Sequence, residues 1–286
     1  MSNFSKLAKI FLFALLIAGF CKIANAQEAQ PNILRYLDIS TGNGLKLDIH
    51  APLSTKKRGF FGRRKLAPVL IYVHGGGWIK GSRKKVYRLP NFAAQRNVML
   101  VSVDYRPVPK TDIDGQVRDV VQGIKWVRKN IKRYGGDPKR IVIMGHSAGS
   151  HLVALVSARK LGGQFRGVIP NDVQAYDMVA YAGMRGSLPY VYAKAFGSNP
   201  NNWVKWSPIT YVRRNSNFPP HLIMHSGSNR ERRKILANGF AYELRKKGAK
   251  VTLFDGWRYS HGAIASRIGS SPEVTRAVTA FLRKVF

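Results

Sequence analysis

Ser147 stands in Gly145-His146-Ser147-Ala148-Gly149, directly after the apolar run Ile141 to Met144 and directly before a second apolar stretch, Leu152 to Ala158. A serine hydroxyl becomes a useful nucleophile when a sharp strand-to-helix turn lifts it clear of a sheet, where a base can take its proton. The same turn aims the Ala148 N–H at the reacting carbonyl oxygen. Gly145 and Gly149 fit a place where neighbouring backbones approach too closely for side chains. A glycine-bounded turn in any α/β chain looks similar locally; the strand before it and the helix after it are what mark an elbow. Upstream, the apolar run Val69 to Val73 ends in His74-Gly75-Gly76-Gly77-Trp78. Three glycines at a strand end let backbone N–H groups converge on open space, which suits a developing oxyanion. A phosphate cradle would need Lys-Ser/Thr after the glycines, and none follows.

The elements that must position these groups read in chain order as follows. Ile33 to Ile49 alternates on both sides of Gly42-Asn43-Gly44, the pattern of a hairpin. A basic loop, STKKRGFFGRRK, follows; Phe60 and Phe61 in it are read either as a membrane-touching tip or as side chains folded back on the sheet. After the central strand at 69–73, a helix around Tyr87 to Arg96 and a strand Val98 to Val103 complete a β-α-β unit and hence a parallel sheet. Val117, Val120, Val121, Ile124, Val127 and Ile131 mark one face of a helix over about 112–134. Beyond the elbow come a strand at Phe165–Ile169, a loop at Asn171–Asp177, strands at His221–His225 and Val251–Phe254, and helices at Leu236–Lys247 and Pro272–Val285. Residues from about Val179 to Asn217 are rich in Tyr, Trp, Gly and Pro without sustained period, and are read as a small lid lined by aromatics.

Chains that mount a serine in this way order the triad as serine, acid, histidine, each on a loop at one sheet edge. His261, just after the last strand, is the base that this order predicts; His50, His74, His146 and His151 lie before or beside the serine. The acid should follow the strand at 221–225, where the loop reads Ser226-Gly227-Ser228-Asn229-Arg230-Glu231, so Asn229 occupies the expected acid position. An amide can hold the imidazole but lacks the charge that stabilises imidazolium, and the comparable change in a serine protease lowers kcat by about 10⁴. The substitute carboxylates are Glu231, two residues on, and Asp177, ranked together, then Asp172. No histidine pair has the helical spacing of a zinc hydrolase, and neither a metal nor a cofactor is expected.

HGGGW, DYRPVP, GGDPKRIVIMGHSAGSHL and YSHG together resemble the hormone-sensitive-lipase-like and feruloyl-esterase-like carboxylesterases of the α/β-hydrolase superfamily. The resemblance runs from LKLDIHAP to the last helix. It implies an α/β-hydrolase fold, a mostly parallel central sheet with helices on both faces and a small lid. It implies Ser147 as nucleophile, His261 as base, Gly75, Gly76 and Ala148 as oxyanion donors, and His74 as a brace for the glycine loop. In that family the aspartates of GVIPNDVQAYD are usually structural, and Asp stands where this chain has Asn229.

Length and composition bound the rest. Residues 1–26 carry Lys6 and Lys9, an apolar stretch from about Ile10 to Phe20, and Ala24-Asn25-Ala26, which predicts a secretory signal peptide cleaved after Ala26. Residues 27–286 suit one α/β domain. Cys21, the single cysteine, lies in the signal, so stability must come from the core and not from disulfides. The net charge of +34 predicts attraction to an anionic membrane or envelope surface, while dispersed basic clusters without base-stacking aromatics argue against nucleic acid. The resulting expectation is a periplasmic or secreted serine carboxylesterase acting on small or medium acyl or aryl esters through an acyl-enzyme on Ser147, with activity reduced by Asn229. The alternative is a weakened hydrolase-fold protein that binds an anionic envelope component.

Overall fold

The computed structural model of the protein describes residues 33–56 and 66–286. The expected signal at 1–26 and the Phe60-Phe61 pair lie outside the described residues. Eight strands form one sheet: β1 (Ile33–Gly42), β2 (Leu45–Pro52), β3 (Ala67–Val73), β4 (Met99–Val103), β5 (Gly136–His146), β6 (Gly167–Asn171), β7 (His221–Ser226) and β8 (Val251–Gly256). Their spatial order is β1-β2-β4-β3-β5-β6-β7-β8. β2 runs antiparallel to both of its neighbours, and every pairing from β4 to β8 is parallel.

A parallel sheet needs cover on both faces, and β3 shows why the sequence there is continuously apolar. Val69, Ile71 and Val73 join the core on one face, beneath α2 (Ile113–Asn130), α3 (Ala148–Ala158) and α8 (Arg230–Lys246). Leu70 and Tyr72 join the other, beneath α1 (Leu89–Ala94), α9 (Ala263–Ser266) and α10 (Pro272–Val285). Each fully buried Val, Leu or Ile stabilises the fold by about 1.5–3 kcal/mol. α2 begins where the Asp112 carboxylate accepts the Gly115 N–H at 2.8 Å, satisfying an amide the helix cannot.

Among the boundaries that differ from the sequence reading, two matter for the site. Pro170 has no N–H for a ladder, which makes Ile169 a natural strand end on paper; β6 instead begins at Gly167 and continues through Pro170 to Asn171. α8 begins at Arg230, six residues before the expected start at Leu236. The segment read as a small lid lined by aromatics forms four short helices, α4 (Met178–Gly183), α5 (Tyr190–Phe196), α6 (Pro200–Lys205) and α7 (Pro208–Arg214). At six or seven residues each, they are too short to show a helical period.

Two of the basic clusters also contain buried members. Arg83 is 6% exposed and holds the carboxylates of Asp38, Asp48 and Asp104, tying β1, β2 and the end of β4 to the segment after the glycine loop. Arg233 is likewise 6% exposed.

Candidate active site

The elbow residue Ser147 has φ 56° and ψ −122°, a conformation that L-residues adopt only when the surroundings impose it. The two glycines flanking it explain how the turn is held. A Cβ on Gly145 would lie 2.1 Å from the Gly149 carbonyl oxygen, and one on Gly149 would lie 2.1 Å from the Val73 carbonyl oxygen. The Ser147 N–H donates to the Asn171 carbonyl at 3.0 Å, which fastens the elbow to the end of β6.

That bond places the acid. Register pairs His146 with Asn171, so the next residue on each strand, Ser147 and Asp172, emerge side by side from the sheet edge. Asp172 has φ 66°, a left-handed conformation that Asp tolerates better than most residues. Its N–H donates to the Met224 carbonyl at 2.9 Å. His261 Nδ1–H donates to Asp172 Oδ2 at 2.7 Å, and Ser147 Oγ–H donates to His261 Nε2 at 2.9 Å. The carboxylate accepts only, so the proton on His261 sits on Nδ1 and Nε2 is left as the acceptor.

Asp172 is fully buried, and its other oxygen, Oδ1, accepts from the Ser226 N–H at 2.9 Å and from Arg233 Nη1 at 2.8 Å. Burial alone pushes this carboxyl up; the His261 hydrogen bond and the Arg233 charge, helped by the Ser226 amide, outweigh it and hold the carboxyl at about 2. Arg233 in turn donates through Nε to the Ser228 carbonyl at 2.6 Å, and Ser228 Oγ accepts the His261 N–H at 3.0 Å. The loop after β7 therefore braces both the acid and the histidine without supplying a carboxylate.

The structure corrects the expected acid. Asn229 adopts a left-handed conformation (φ 49°) as the residue that opens α8, and its side chain caps nothing. Glu231 falls in the first turn of α8 and is exposed, because the helix starts early and turns this position to solvent. Asp177 caps α4, accepting the Ala180 N–H at 3.0 Å. Asp172, ranked behind Glu231 and Asp177 on sequence, is the carboxylate that meets His261. One signal could have pointed to it. Arg233, Leu236, Ala237, Phe240, Ala241 and Leu244 fall on one helical face and are all buried. A cation on an apolar face needs a buried carboxylate opposite, and β6 ends in one.

Gly75 and Gly76 border the same cavity as Ser147 and His261, about 330 Å³ in volume. A Cβ on Gly75 would sit 2.9 Å from the His146 carbonyl oxygen and 3.0 Å from Ser147 Cβ; one on Gly76, at φ 140°, would sit 1.8 Å from the Lys80 carbonyl oxygen. Ala148, buried, is the first residue of α3, whose N-terminal dipole favours negative charge. His74 braces the glycine loop, its Nδ1–H donating to the Gly75 carbonyl at 2.8 Å, while its ring stacks on Tyr105 at 4.3 Å.

Two further histidines hold the site, a role the sequence reading did not assign to them. His146 Nε2–H donates to the His261 carbonyl at 2.7 Å, and burial pushes its ring down to about 4, so it braces as a neutral group. His151 Nε2–H donates to the Trp206 carbonyl at 2.7 Å while Nδ1 accepts from Trp78 Nε1–H at 3.1 Å; burial pushes it down to about 3. Trp78 is thereby locked to α3, with Tyr192 and Phe196 of α5 each 5.0 Å away centroid to centroid. These aromatics pack as core. From the 178–217 segment it is Val191, not an aromatic ring, that borders the cavity. Among the described residues, no cluster of His, Cys, Asp and Glu has the arrangement of a metal site.

Comparison with known proteins finds likenesses to esterases. Residues 47–181 match the BD-FAE family model. The chain is 32% identical over 243 residues to Esterase LipQ of Mycobacterium tuberculosis, covering 79% of this chain and 56% of that one. It is 26% identical over 270 residues to isoprenylcysteine alpha-carbonyl methylesterase ICME of Arabidopsis thaliana, covering 87% and 61%. It thus spans less than two thirds of the length of either relative. Among solved structures, a truncated carbohydrate esterase from gut microbiota superposes with TM-score 0.73 at 18% identity, over 90% of this chain and 97% of that one. Esterase B from Lactobacillus rhamnosis superposes with TM-score 0.69 at 17% identity, over 90% and 86%. Strand order, elbow and glycine loop, together with these superpositions, show that the chain has the α/β-hydrolase fold, and the relatives it resembles in sequence are esterases.

Proposed function

We propose that this protein is a serine carboxylesterase that hydrolyses small or medium acyl or aryl esters through an acyl-enzyme on Ser147. The observation that carries the reading is the continuous line from Ser147 Oγ through His261 to the Asp172 carboxylate, bordering one cavity with Gly75 and Gly76. His261 Nε2 takes the Ser147 proton as Oγ adds to the ester carbonyl; the imidazolium so formed is stabilised by Asp172 and then protonates the leaving alcohol. Water, deprotonated by the same nitrogen, releases the acid. The Gly75, Gly76 and Ala148 amides are the candidate donors to the oxyanion, each worth roughly 3–4 kcal/mol of barrier. A cavity of about 330 Å³ is at the lower end of the range for small-molecule sites, which favours small and medium esters.

The weakened-hydrolase alternative rests on the missing charge at Asn229; a carboxylate reaching His261 from β6 removes its premise. The leader pattern at 1–26 supports export to the periplasm or beyond, and the net charge of +34 supports residence near an anionic surface. The test is a protein lacking residues 1–26 offered a fluorophosphonate probe and p-nitrophenyl esters from acetyl to octanoyl. Labelling at Ser147 with p-nitrophenol release is expected. No labelling and no release would sink the proposal.

A further inference from the structure

The charge of the cavity suggests what kind of ester it takes. Lys80 and Lys85 both border it, both are exposed, and neither forms an ion pair with a carboxylate among the described residues. The acids on the neighbouring elements are already engaged: Asp38, Asp48 and Asp104 by Arg83, and Asp172 by Arg233. Among the described residues, no Asp or Glu borders the cavity. The Lys85 charge adds a little to the burial that lowers the His74 and His146 rings, with the His261 charge a larger contribution for His146.

A second observation concerns Tyr72, on β3. Its side chain borders the same cavity, its residue is 1% exposed, and its hydroxyl has no hydrogen-bond partner. A buried hydroxyl without a partner is costly, by roughly 1–3 kcal/mol, and a partner that enters the cavity, such as a ligand oxygen, would recover that cost. Burial, more than the nearby Tyr87 and Tyr105 hydroxyls, keeps it a neutral donor by pushing its ionisation up. Tyr87 borders the cavity too, with the Lys85 ammonium 5.7 Å from its ring centroid, which limits where that cation can move.

Two cations without a carboxylate partner and a hydrogen-bond donor without an acceptor, converging on a catalytic cavity with no acid among its described lining residues, are the complement of an anion. Resting on the esterase reading above, we propose that the ester this site takes carries an anionic group of carboxylate or phosphate type, bound by Lys80 and Lys85 with a hydrogen bond from Tyr72. A neutral ester of the same size would leave both cations without a counter-charge in the complex. An anionic one gains charge-assisted hydrogen bonds that strengthen as the cavity sheds water.

The test uses matched esters and reads a ratio. Mono-p-nitrophenyl glutarate against its methyl ester places the anion on the acyl side. 4-Acetoxybenzoate and 4-acetoxyphenyl phosphate, each against methyl 4-acetoxybenzoate, place a carboxylate or a phosphate on the leaving group. Each kcat/KM is normalised to the alkaline hydrolysis rate of the same ester. The wild-type protein is expected to prefer the anionic member of at least one pair by about tenfold at low salt. That preference should fall towards parity in Lys80→Gln/Lys85→Gln, persist in Lys80→Arg/Lys85→Arg, and shrink as salt is raised to 0.5 M, where exposed charges are screened. Absence of preference in every pair, or a preference that survives the double glutamine variant, overturns the inference while leaving the esterase reading intact. If none of the esters is turned over and Ser147 takes no fluorophosphonate, the esterase reading falls and this inference falls with it.

Discussion

Arg233 and Asp172 form a buried ion pair, Nη1 to Oδ1 2.8 Å, on the side of the carboxylate away from His261. Neither partner has appreciable access to water. The pair joins the first turn of α8 to the end of β6, so the helix orients the acid through a side chain rather than through its backbone. Breaking such a pair by removing one partner leaves an uncompensated buried charge and costs about 3–5 kcal/mol. Arg233→Met should therefore lower the urea midpoint of unfolding markedly, while Arg233→Met combined with Asp172→Asn, which removes both charges, should recover much of the loss. Equal destabilisation by the single and double variants would argue against the pair as the source.

Asn229 and Glu231 should be bystanders. Asn229→Asp places a carboxylate on a left-handed loop residue that does not touch His261, and Glu231→Gln changes an exposed helical position. Both variants should keep kcat for p-nitrophenyl butyrate within about twofold of wild type, well below the tenfold change that 1.4 kcal/mol of barrier would bring. A rise in kcat with Asn229→Asp would show that the acid position after β7 is used after all.

The contrast between those two residues and Asp172 shows what was legible beforehand. The elbow, the glycine loop and His261 could be placed because each is specified locally: a glycine demanded by a 2.1 Å approach, a run of apolar residues, a loop just after the last strand. The acid depends on two strands being in register and on where two elements begin and end. Shifting the end of β6 by two residues moves Asp172 from a loop to the sheet edge beside Ser147, and starting α8 six residues early turns Glu231 to solvent. Charge was equally hard to read: the basic residues look like dispersed clusters in the sequence, yet Arg83 and Arg233 are buried and paired. The aromatics of about 179–217 suggested a lining for the site; Tyr192 and Phe196 instead pack on Trp78, the residue that ends the glycine loop.

The glycine loop gives a steric prediction. Gly76→Ala would bring Cβ to 1.8 Å from the Lys80 backbone carbonyl oxygen, a contact no rotamer can relieve. The loop must move, and with it the amides proposed to face the oxyanion. Losing one such donor lowers kcat by about 10²–10³-fold. Thermal unfolding of this variant, followed alongside its kcat for p-nitrophenyl butyrate, separates displacement of the loop from loss of the fold. A Gly76→Ala protein that retains more than a tenth of wild-type kcat would show that this amide is not needed.

Stability should fall on mild acidification. Burial, ahead of any other influence, pushes His146 and His221 down to about 4 and His151 to about 3, from an ordinary value of 6.5. Between pH 6.5 and 4 the unfolded chain therefore binds protons that the native state does not, and stability rises with pH across that window. Each fully titrating histidine contributes a slope of about 1.4 kcal/mol per pH unit. Asp172, held at about 2 against an ordinary 3.8, adds stability that is present above pH 4 and lost only as pH falls towards 2. The urea midpoint should thus drop steadily from pH 6.5 to 4 and continue to drop below it. A midpoint flat over 6.5–4 would mean that these histidines are charged, or solvated, in the native state.

The central claim is that Asp172 supplies the charge behind His261, and kcat for p-nitrophenyl butyrate in Asp172→Asn measures it most directly. Asp172→Asn combined with Arg233→Met is assayed in parallel so that an unpaired arginine is not mistaken for a catalytic effect, with circular dichroism to confirm that both proteins are folded. The account predicts a fall of about 10³–10⁴-fold in kcat in both proteins, of the size seen when a triad aspartate becomes an amide. A folded Asp172→Asn protein that keeps more than a tenth of wild-type kcat would contradict it.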